Sequence, residues 1–299
     1  MENTQTQIQT QSSIIQTISE TINSLFSSLF SSINNNIYSV LDDIIFIDTD
    51  ILNDKFISSV FGTSTTKGLL LISNSLLLGF AIFYIIRYAY SHYSMTQTEQ
   101  PFQFLFKIFI FAILSNSSYF ICEQIININS LISLAIREVG ENIFNCNISF
   151  SELILRLNNI ISNNSSTLNV FSLDGILKSF ISINLLNLIF TYSLRYIILK
   201  VFILITPFAF LTLINSSTSC FFKAWLKSFL SLLLLQSFVS LILLIIFSID
   251  FSASDIFTKV ICIGSIFALT KANSFVRELI GGISTDVSSN ISSLRYLIK

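Results

Sequence analysis

The sequence predicts an all-α, polytopic transmembrane helical bundle of five or six spans, with an N-terminal amphipathic helix. The composition is 52% hydrophobic and 11% charged, and the mean hydropathy is +0.75, whereas soluble domains are about a quarter charged. Residues 228–249 contain no formal charge, and Gln236 is their only strongly polar side chain. A helix of roughly 18 or more apolar residues crosses the ~30 Å core of a lipid bilayer.

The first region, residues 1–67, combines a polar N-terminus with the predicted amphipathic helix. Residues 1–13 lack the positively charged start and the small-residue cleavage site of a signal peptide. From residue 14 to residue 44, apolar side chains recur every three or four positions, which is typical of one helix face. Because this stretch contains no Lys or Arg, packing on protein is favoured over an interfacial position on lipid, and both alternatives stay open.

Residues 68–122 contain the first two predicted spans. The first, residues 69–86, is followed by Arg87 and flanked by tyrosines, which is typical of a membrane surface. The second, residues 104–122, has Lys107 near its start, where a long side chain can reach the headgroups.

A central region, residues 123–175, is predicted to be extramembrane or interfacial. Its polar runs separate moderately apolar helical pieces. Charged side chains such as Arg137, Glu138 and Glu141 are too numerous here for a lipid environment.

Residues 176–270 contain three or four further spans. The stretch 176–214 is too long for one ordinary crossing and long enough for two short ones. The remaining predicted spans are residues 228–249 and 256–270.

The tail, residues 271–299, is predicted to be cytoplasmic. It carries Lys271, Arg277, Arg295 and Lys299, and Lys and Arg gather on the cytoplasmic side of membrane proteins. Five spans would place the N-terminus outside, and six would place it inside.

The residue content predicts no catalytic, cofactor-binding or metal-binding residues, and therefore no enzyme. His92 is the single histidine, and the four cysteines form no CxxC pair, whereas zinc sites require three or four ligands. The spans offer serines but no histidine or paired aspartate to activate them.

Six residues are candidates for a functional or structural role. Arg195 and Lys200 are ionisable groups in apolar surroundings, which either mark a solute pathway or reach the headgroups from a tight connection between helices. Pro207 kinks a helix, and such a break either lines a transport site or is structural. The other candidates are Trp225, at the start of a long apolar run, and the pair Gly281 and Gly282, a helix stop.

The C-terminal part of the chain resembles the TrbL/VirB-type polytopic inner-membrane component of type IV secretion systems. Three segments carry the resemblance. They are KVFILITPFAFLTL, a kinked apolar segment; FFKAWLKSFLSLLLLQ, with Trp225 at the start of a long span; and KANSFVRELIGG, into which the last span runs.

The resemblance implies a non-enzymatic channel subunit for type IV secretion or conjugation, a multi-pass protein of the bacterial cytoplasmic membrane. Its expected partners are other inner-membrane secretion subunits and cytoplasmic secretion ATPases in an oligomeric assembly, with transient contact to the transferred DNA or protein through residues 123–174. Two other classes stay open. The polar residues Arg195 and Lys200 and the break at Pro207 also suit a small-molecule or ion transporter, and a pore-forming lysis or toxin-immunity protein is the third.

Overall fold

The computed structural model describes residues 35–62, 68–94, 100–162, 173–215, 218–249 and 256–281, together with residues 17, 18, 21 and 24. Every regular element in these ranges is helical. The helices are α1 (Asn35–Ile45), α2 (Asp50–Asn53), α3 (Lys55–Phe61), α4 (Leu69–Ser94), α5 (Pro101–Asn116), α6 (Ser118–Phe144), α7 (Phe150–Ser162), α8 (Leu173–Leu211), α9 (Ser219–Phe247) and α10 (Ile256–Ile280), and a 3₁₀ turn (Thr212–Ile214) follows α8. Most of the predicted amphipathic helix and of the tail lies outside the described residues.

Four of the described helices are long and apolar enough to cross a membrane. They are α4, α6, α9 and the part of α8 that runs with the 3₁₀ turn from Ser179 to Ile214. Helix α5 is apolar but shorter, and α10, which contains the predicted span 256–270, is not one of the four. The described part of the chain therefore supports a helical membrane protein with fewer evident spans than the five or six predicted.

The predicted second span, residues 104–122, is divided between two helices. Helix α5 ends at Asn116, and α6 begins at Ser118 and continues for 27 residues. The Ser118 hydroxyl donates to the Ser115 carbonyl at 2.6 Å, and hydroxyls that bond nearby backbone groups compete with the helix ladder. Residues 123–144 thus belong to a long helix rather than to separate pieces.

The apolar stretch 176–214 lies in one helix rather than in two short ones. Helix α8 is 39 residues long and continues through Pro207. Proline removes one backbone hydrogen bond from a helix interior, and the helix ends four residues later at Leu211. Arg195 and Lys200 therefore lie within a helix, and their side chains find partners on other elements.

Helices α6, α8, α9 and α10 form the core, and the end of α1 and the segment that follows it are inserted among them. Ile45, Ile47, Leu52 and Ile57 are almost completely buried. This part of the N-terminal region therefore packs against protein.

Helices α4 and α5 form an antiparallel hairpin at the side of this core. The Ser73 and Ser115 hydroxyls are 2.8 Å apart near its base, and the rings of Tyr84 and Phe104 stack with centroids 3.5 Å apart. Only 6% of the apolar window of α4 is buried, so the outer helix contributes almost nothing to the core.

Candidate functional site

A group of buried polar side chains lies near the midpoints of α6, α8 and α9. We call it the central polar cluster; its members are Asn129, Ser133, Arg195, Gln236, Ser237 and Ser240. Every member is less than 9% exposed. Buried polar groups are costly unless they are hydrogen-bonded, and members of the cluster bond across helices and to the segment that follows α1.

Arg195 is the centre of this cluster and is completely buried. Its Nε donates to the Leu232 carbonyl oxygen at 2.8 Å, and its Nη1 donates to the Ile45 carbonyl oxygen at 2.9 Å. Its Nη2 has no hydrogen-bond partner among the described residues. The guanidinium therefore joins three elements, α8, α9 and the end of α1, while one nitrogen keeps its donor capacity.

Gln236 makes the complementary contact with the same backbone segment. Its side-chain oxygen accepts a hydrogen bond from the Ile47 amide at 3.1 Å. The last carbonyls of a helix and the amides beyond it lack partners within the helix, so the chain leaving α1 needs donors and acceptors from outside. Arg195 and Gln236 supply one of each.

Helices α6 and α9 are joined by a ladder of small polar side chains. Asn129 donates to the Leu233 carbonyl at 2.9 Å and accepts from Ser237 at 3.3 Å. Four residues further along α6, the Ser133 and Ser240 hydroxyls are 2.7 Å apart. Because the pairs advance in the same direction on both helices, α6 and α9 run parallel.

Lys200 lies at the margin of the cluster, one and a half turns from Arg195. Its Nζ is 2.6 Å from a carboxylate oxygen of Asp54 and 4.8 Å from the Tyr196 ring centroid. Asp54 also caps α3 by accepting from the Phe56 amide at 3.0 Å. The hydrogen bond from Lys200 and the one from Phe56 lower the pKa of Asp54 below its ordinary value.

Residues 45–54, which we call the inserted segment, are thus bonded by side chains of three long helices. Besides the contacts of Arg195, Gln236 and Lys200, the Tyr119 hydroxyl donates to the Leu52 carbonyl at 2.9 Å. Residues 46–49 of this segment are not helical, and non-helical backbone inside a membrane bundle is tolerated where protein groups satisfy it. Comparisons with protein-family models, curated proteins and solved structures return no match for this chain.

Pro207 and Trp225 lie near the junction where α8 ends and α9 begins. Trp225 Nε1 donates to the Phe202 carbonyl at 3.1 Å, five residues before the proline. The Pro207 carbonyl accepts from the Ser115 hydroxyl at 3.3 Å. Trp225 also stacks on Phe229, with ring centroids 5.2 Å apart. The part of α8 around Pro207 is therefore bonded to both α5 and α9.

Gly281 ends α10 and lies away from the cluster. Its φ is +78°, and its amide donates to the Arg277 carbonyl at 2.7 Å, which is the left-handed conformation that glycine adopts after a helix. Gly282 lies outside the described residues. The described sequence candidates therefore do not form one site: Arg195 belongs to the cluster, Lys200 borders it, and Pro207 and Trp225 lie near the junction of α8 and α9 with separate partners.

Sequence reasoning did not single out Asn129 and Ser133. The signal that could have identified them is the stripe of buried positions on α6, which runs through Cys122, Ile126, Asn129 and Ser133 at spacings of three or four. The charged residues near the end of this helix favoured an extramembrane interpretation, and the stripe was therefore not recognised. Arg137 in fact bonds the Ile148 carbonyl at 2.9 Å and lies over the Phe46 ring, so its charge is held by protein.

Proposed function

We propose that this protein is a non-enzymatic integral membrane subunit of a type IV secretion or conjugative transfer channel, which helps DNA or protein cross the bacterial cytoplasmic membrane. The hydrogen bond from Trp225 to the Phe202 carbonyl carries the proposal. It joins the two most distinctive segments of the resemblance, the kinked segment around Pro207 and the span that begins at Trp225. The residues that define the resemblance therefore depend on one another in the fold.

The third segment of the resemblance packs against the same core. Leu269, Ala272 and Val276 of α10 are buried in a cluster with Leu235 and Val239 of α9. Ile203 and Trp225 belong to a second cluster, so α9 contributes to both clusters and connects the three segments, as expected if they are the shared part of a family of channel subunits.

In the proposed assembly, the exposed hairpin provides a surface for neighbouring membrane subunits. Both α4 and α5 present large apolar side chains outward, among them Leu78, Phe83, Phe106 and Phe109. Lipid covers such a surface in an isolated protein, and neighbouring membrane subunits cover it in a channel. The proposed partners are other inner-membrane secretion subunits and the cytoplasmic ATPases that energise transfer.

Affinity purification tests the assembly directly. The protein would be tagged at its C-terminus, extracted in mild detergent, and its co-purifying proteins identified by mass spectrometry. We expect a secretion ATPase and inner-membrane transfer proteins. Recovery as a monomer or small homo-oligomer, under conditions that preserve such assemblies, would contradict the proposal.

Genetic deletion tests the activity. Loss of the gene is expected to abolish transfer of the element that encodes it, and the wild-type gene supplied in trans should restore transfer. Trp225→Ala should restore it poorly because the indole donor and the stacked ring are both lost, whereas Trp225→Phe keeps the ring and should restore it better. Normal transfer in the deletion strain would refute the proposed function.

Arg195 favours a small-molecule or ion transporter as the second candidate. A guanidinium buried in the middle of a span is costly, and such groups mark solute pathways in transporters. Uptake by the purified protein in liposomes, lost in Arg195→Ala and kept in Arg87→Ala on the exposed hairpin, would establish this class in place of the first.

A further inference from the structure

Arg195 has more hydrogen-bonding capacity than the folded chain uses. Two of its three nitrogens donate to backbone carbonyls, at 2.8 and 2.9 Å, and Nη2 is buried without a partner in the described part of the chain. Leaving a buried donor unpaired destabilises a fold, and more so when the group is charged. Arg195 Nη2 therefore requires a hydrogen-bond acceptor that the described residues do not supply.

Arg195 also forms no ion pair with a carboxylate of the described residues. In the inserted segment, Asp54 pairs with Lys200 at 2.6 Å, while Asp48 and Asp50 accept from Thr49 and Asn53. In α7, Glu152 pairs with Arg156 at 3.2 Å. Asp42 accepts from the Phe150 amide and the Ser151 hydroxyl, at 2.8 and 2.9 Å. Both partners that Arg195 does have are neutral carbonyls. A buried cation is tolerated when an opposite charge accompanies it.

We propose that Arg195 Nη2 anchors a binding site for a small monovalent anion, of the size of chloride, in the middle of the bundle. An anion supplies the missing acceptor and the missing charge together, whereas a water molecule supplies only the acceptor. The geometry favours a small ion over a carboxylate or phosphate. Planar or tetrahedral oxyanions are bound through paired donors, and Nη1, the natural second donor, already bonds the Ile45 carbonyl.

This site is independent of the proposed channel function, because it rests on the partners of Arg195 alone. The test uses the full-length protein purified in detergent, with thermal unfolding followed by the fluorescence of Trp225, the single tryptophan. Potassium chloride would replace potassium gluconate at constant ionic strength. A saturable rise in Tm is expected, of about 5 °C once chloride exceeds its Kd a hundredfold.

Two variants separate a specific site from a general salt effect. Arg195→Gln removes the charge and the free nitrogen and should abolish the dependence of Tm on chloride. Arg137→Gln is the matched control, because Arg137 also donates to a backbone carbonyl inside the bundle, and it should keep that dependence. A wild-type Tm that is the same in chloride and gluconate, or a dependence that survives in Arg195→Gln, would overturn the proposal.

Anomalous scattering from bromide tests the anion site directly if Arg195→Gln does not fold. Crystals of the wild-type protein grown in bromide should show an anomalous peak within about 3.5 Å of Nη2, the range expected for a direct contact between a nitrogen donor and a halide. The absence of a peak there would overturn the proposal without recourse to any variant.

Discussion

Helices α9 and α4 are almost equally apolar, yet they occupy opposite places in the molecule. Their most apolar windows have mean hydropathies of 2.7 and 2.3, but 61% of the first window is buried and only 6% of the second. The difference lies in their polar residues. Helix α9 buries Ser231, Gln236, Ser237 and Ser240, whereas on α4 buried serines lie only near the two ends. Because lipid is as apolar as leucine, polar and small side chains determine which membrane helix packs inside.

The largest effect that would test this contrast is expected at Arg195. Arg195→Ala removes two charge-assisted hydrogen bonds and a fully buried side chain, and should destabilise the protein by about 3 kcal/mol. Arg87→Ala on the exposed hairpin is the control, and it should change stability by less than about 0.5 kcal/mol. Denaturant or thermal unfolding of both variants in the same detergent provides the measurement.

Equal stability of the two arginine variants would contradict the claim that buried polar contacts stabilise the core. That result would mean that the cost of burying the unpaired charge of Arg195 cancels its bonds to Leu232 and Ile45. Arg195→Leu would then be at least as stable as the wild type, as happens when buried ionic groups are replaced by apolar residues of similar volume.

A second test adds a single methyl group to each region. A Cβ at Gly140 of α6 would lie 2.8 Å from Cγ1 of the fully buried Ile148, so Gly140→Ala should destabilise by about 1–2 kcal/mol through overpacking. A Cβ at Gly79 of α4 meets nothing within 4 Å, so Gly79→Ala should stabilise by about 0.5–1 kcal/mol through helix propensity. Unfolding shifts of the same sign would show that one of the two positions has been misjudged.

The same contrast explains how far the sequence could predict this fold. Hydropathy and helical spacing predict the existence and type of the long helices, because the bilayer imposes both. They place the boundaries less well: the serines and asparagine at 115–118 interrupt an apolar run, and the helix breaks there although the hydropathy stays high. Burial was least predictable, since α4 and α9 differ little in mean hydropathy.

The candidate site was predictable in part. Arg195 stands out in any apolar run, and Gln236 stands out in residues 228–249. Their shared partner could not be predicted, because both bind backbone atoms of the inserted segment, about 150 and 190 residues away in the sequence. The residue types of a segment do not reveal which of its backbone groups bind distant side chains. A side-chain pair such as Ser133 and Ser240 can be predicted only when the two helices are already known to pack together.

A third test asks whether the hairpin and the core unfold separately. Ser115 bonds the Ser73 hydroxyl at 2.8 Å and the Pro207 carbonyl at 3.3 Å, so it connects α4 and α5 to α8. Ser115→Ala should cost about 0.6 kcal/mol for each hydrogen bond lost, the average measured for bonds between membrane helices. Hydrogen exchange should increase near the hairpin base and remain unchanged at Ser133 and Ser240. A uniform increase would mean that hairpin and core unfold as one unit.

The smallest effect is expected at the margin of the core, in the ion pair between Asp54 and Lys200. The hydrogen bond from Lys200 lowers the pKa of Asp54 below its ordinary value of 3.8. The folded state therefore binds fewer protons than the unfolded state, and the pair stabilises the protein above that value and loses its contribution as the pH falls through the folded pKa. Both groups are partly exposed, so Asp54→Asn should lower Tm by no more than about 2 °C at neutral pH.

Asp42 must be separated from this effect, because its pKa moves in the opposite direction. Burial raises the pKa of Asp42 despite its hydrogen bonds to Phe150 and Ser151, so its contribution to stability increases as the pH falls from its folded pKa towards 3.8. The informative quantity is therefore the Tm difference between wild type and Asp54→Asn, in which Asp42 cancels. That difference should shrink below pH 4. If it stayed constant through the acid range, the contact with Lys200 would be a hydrogen bond of no electrostatic consequence.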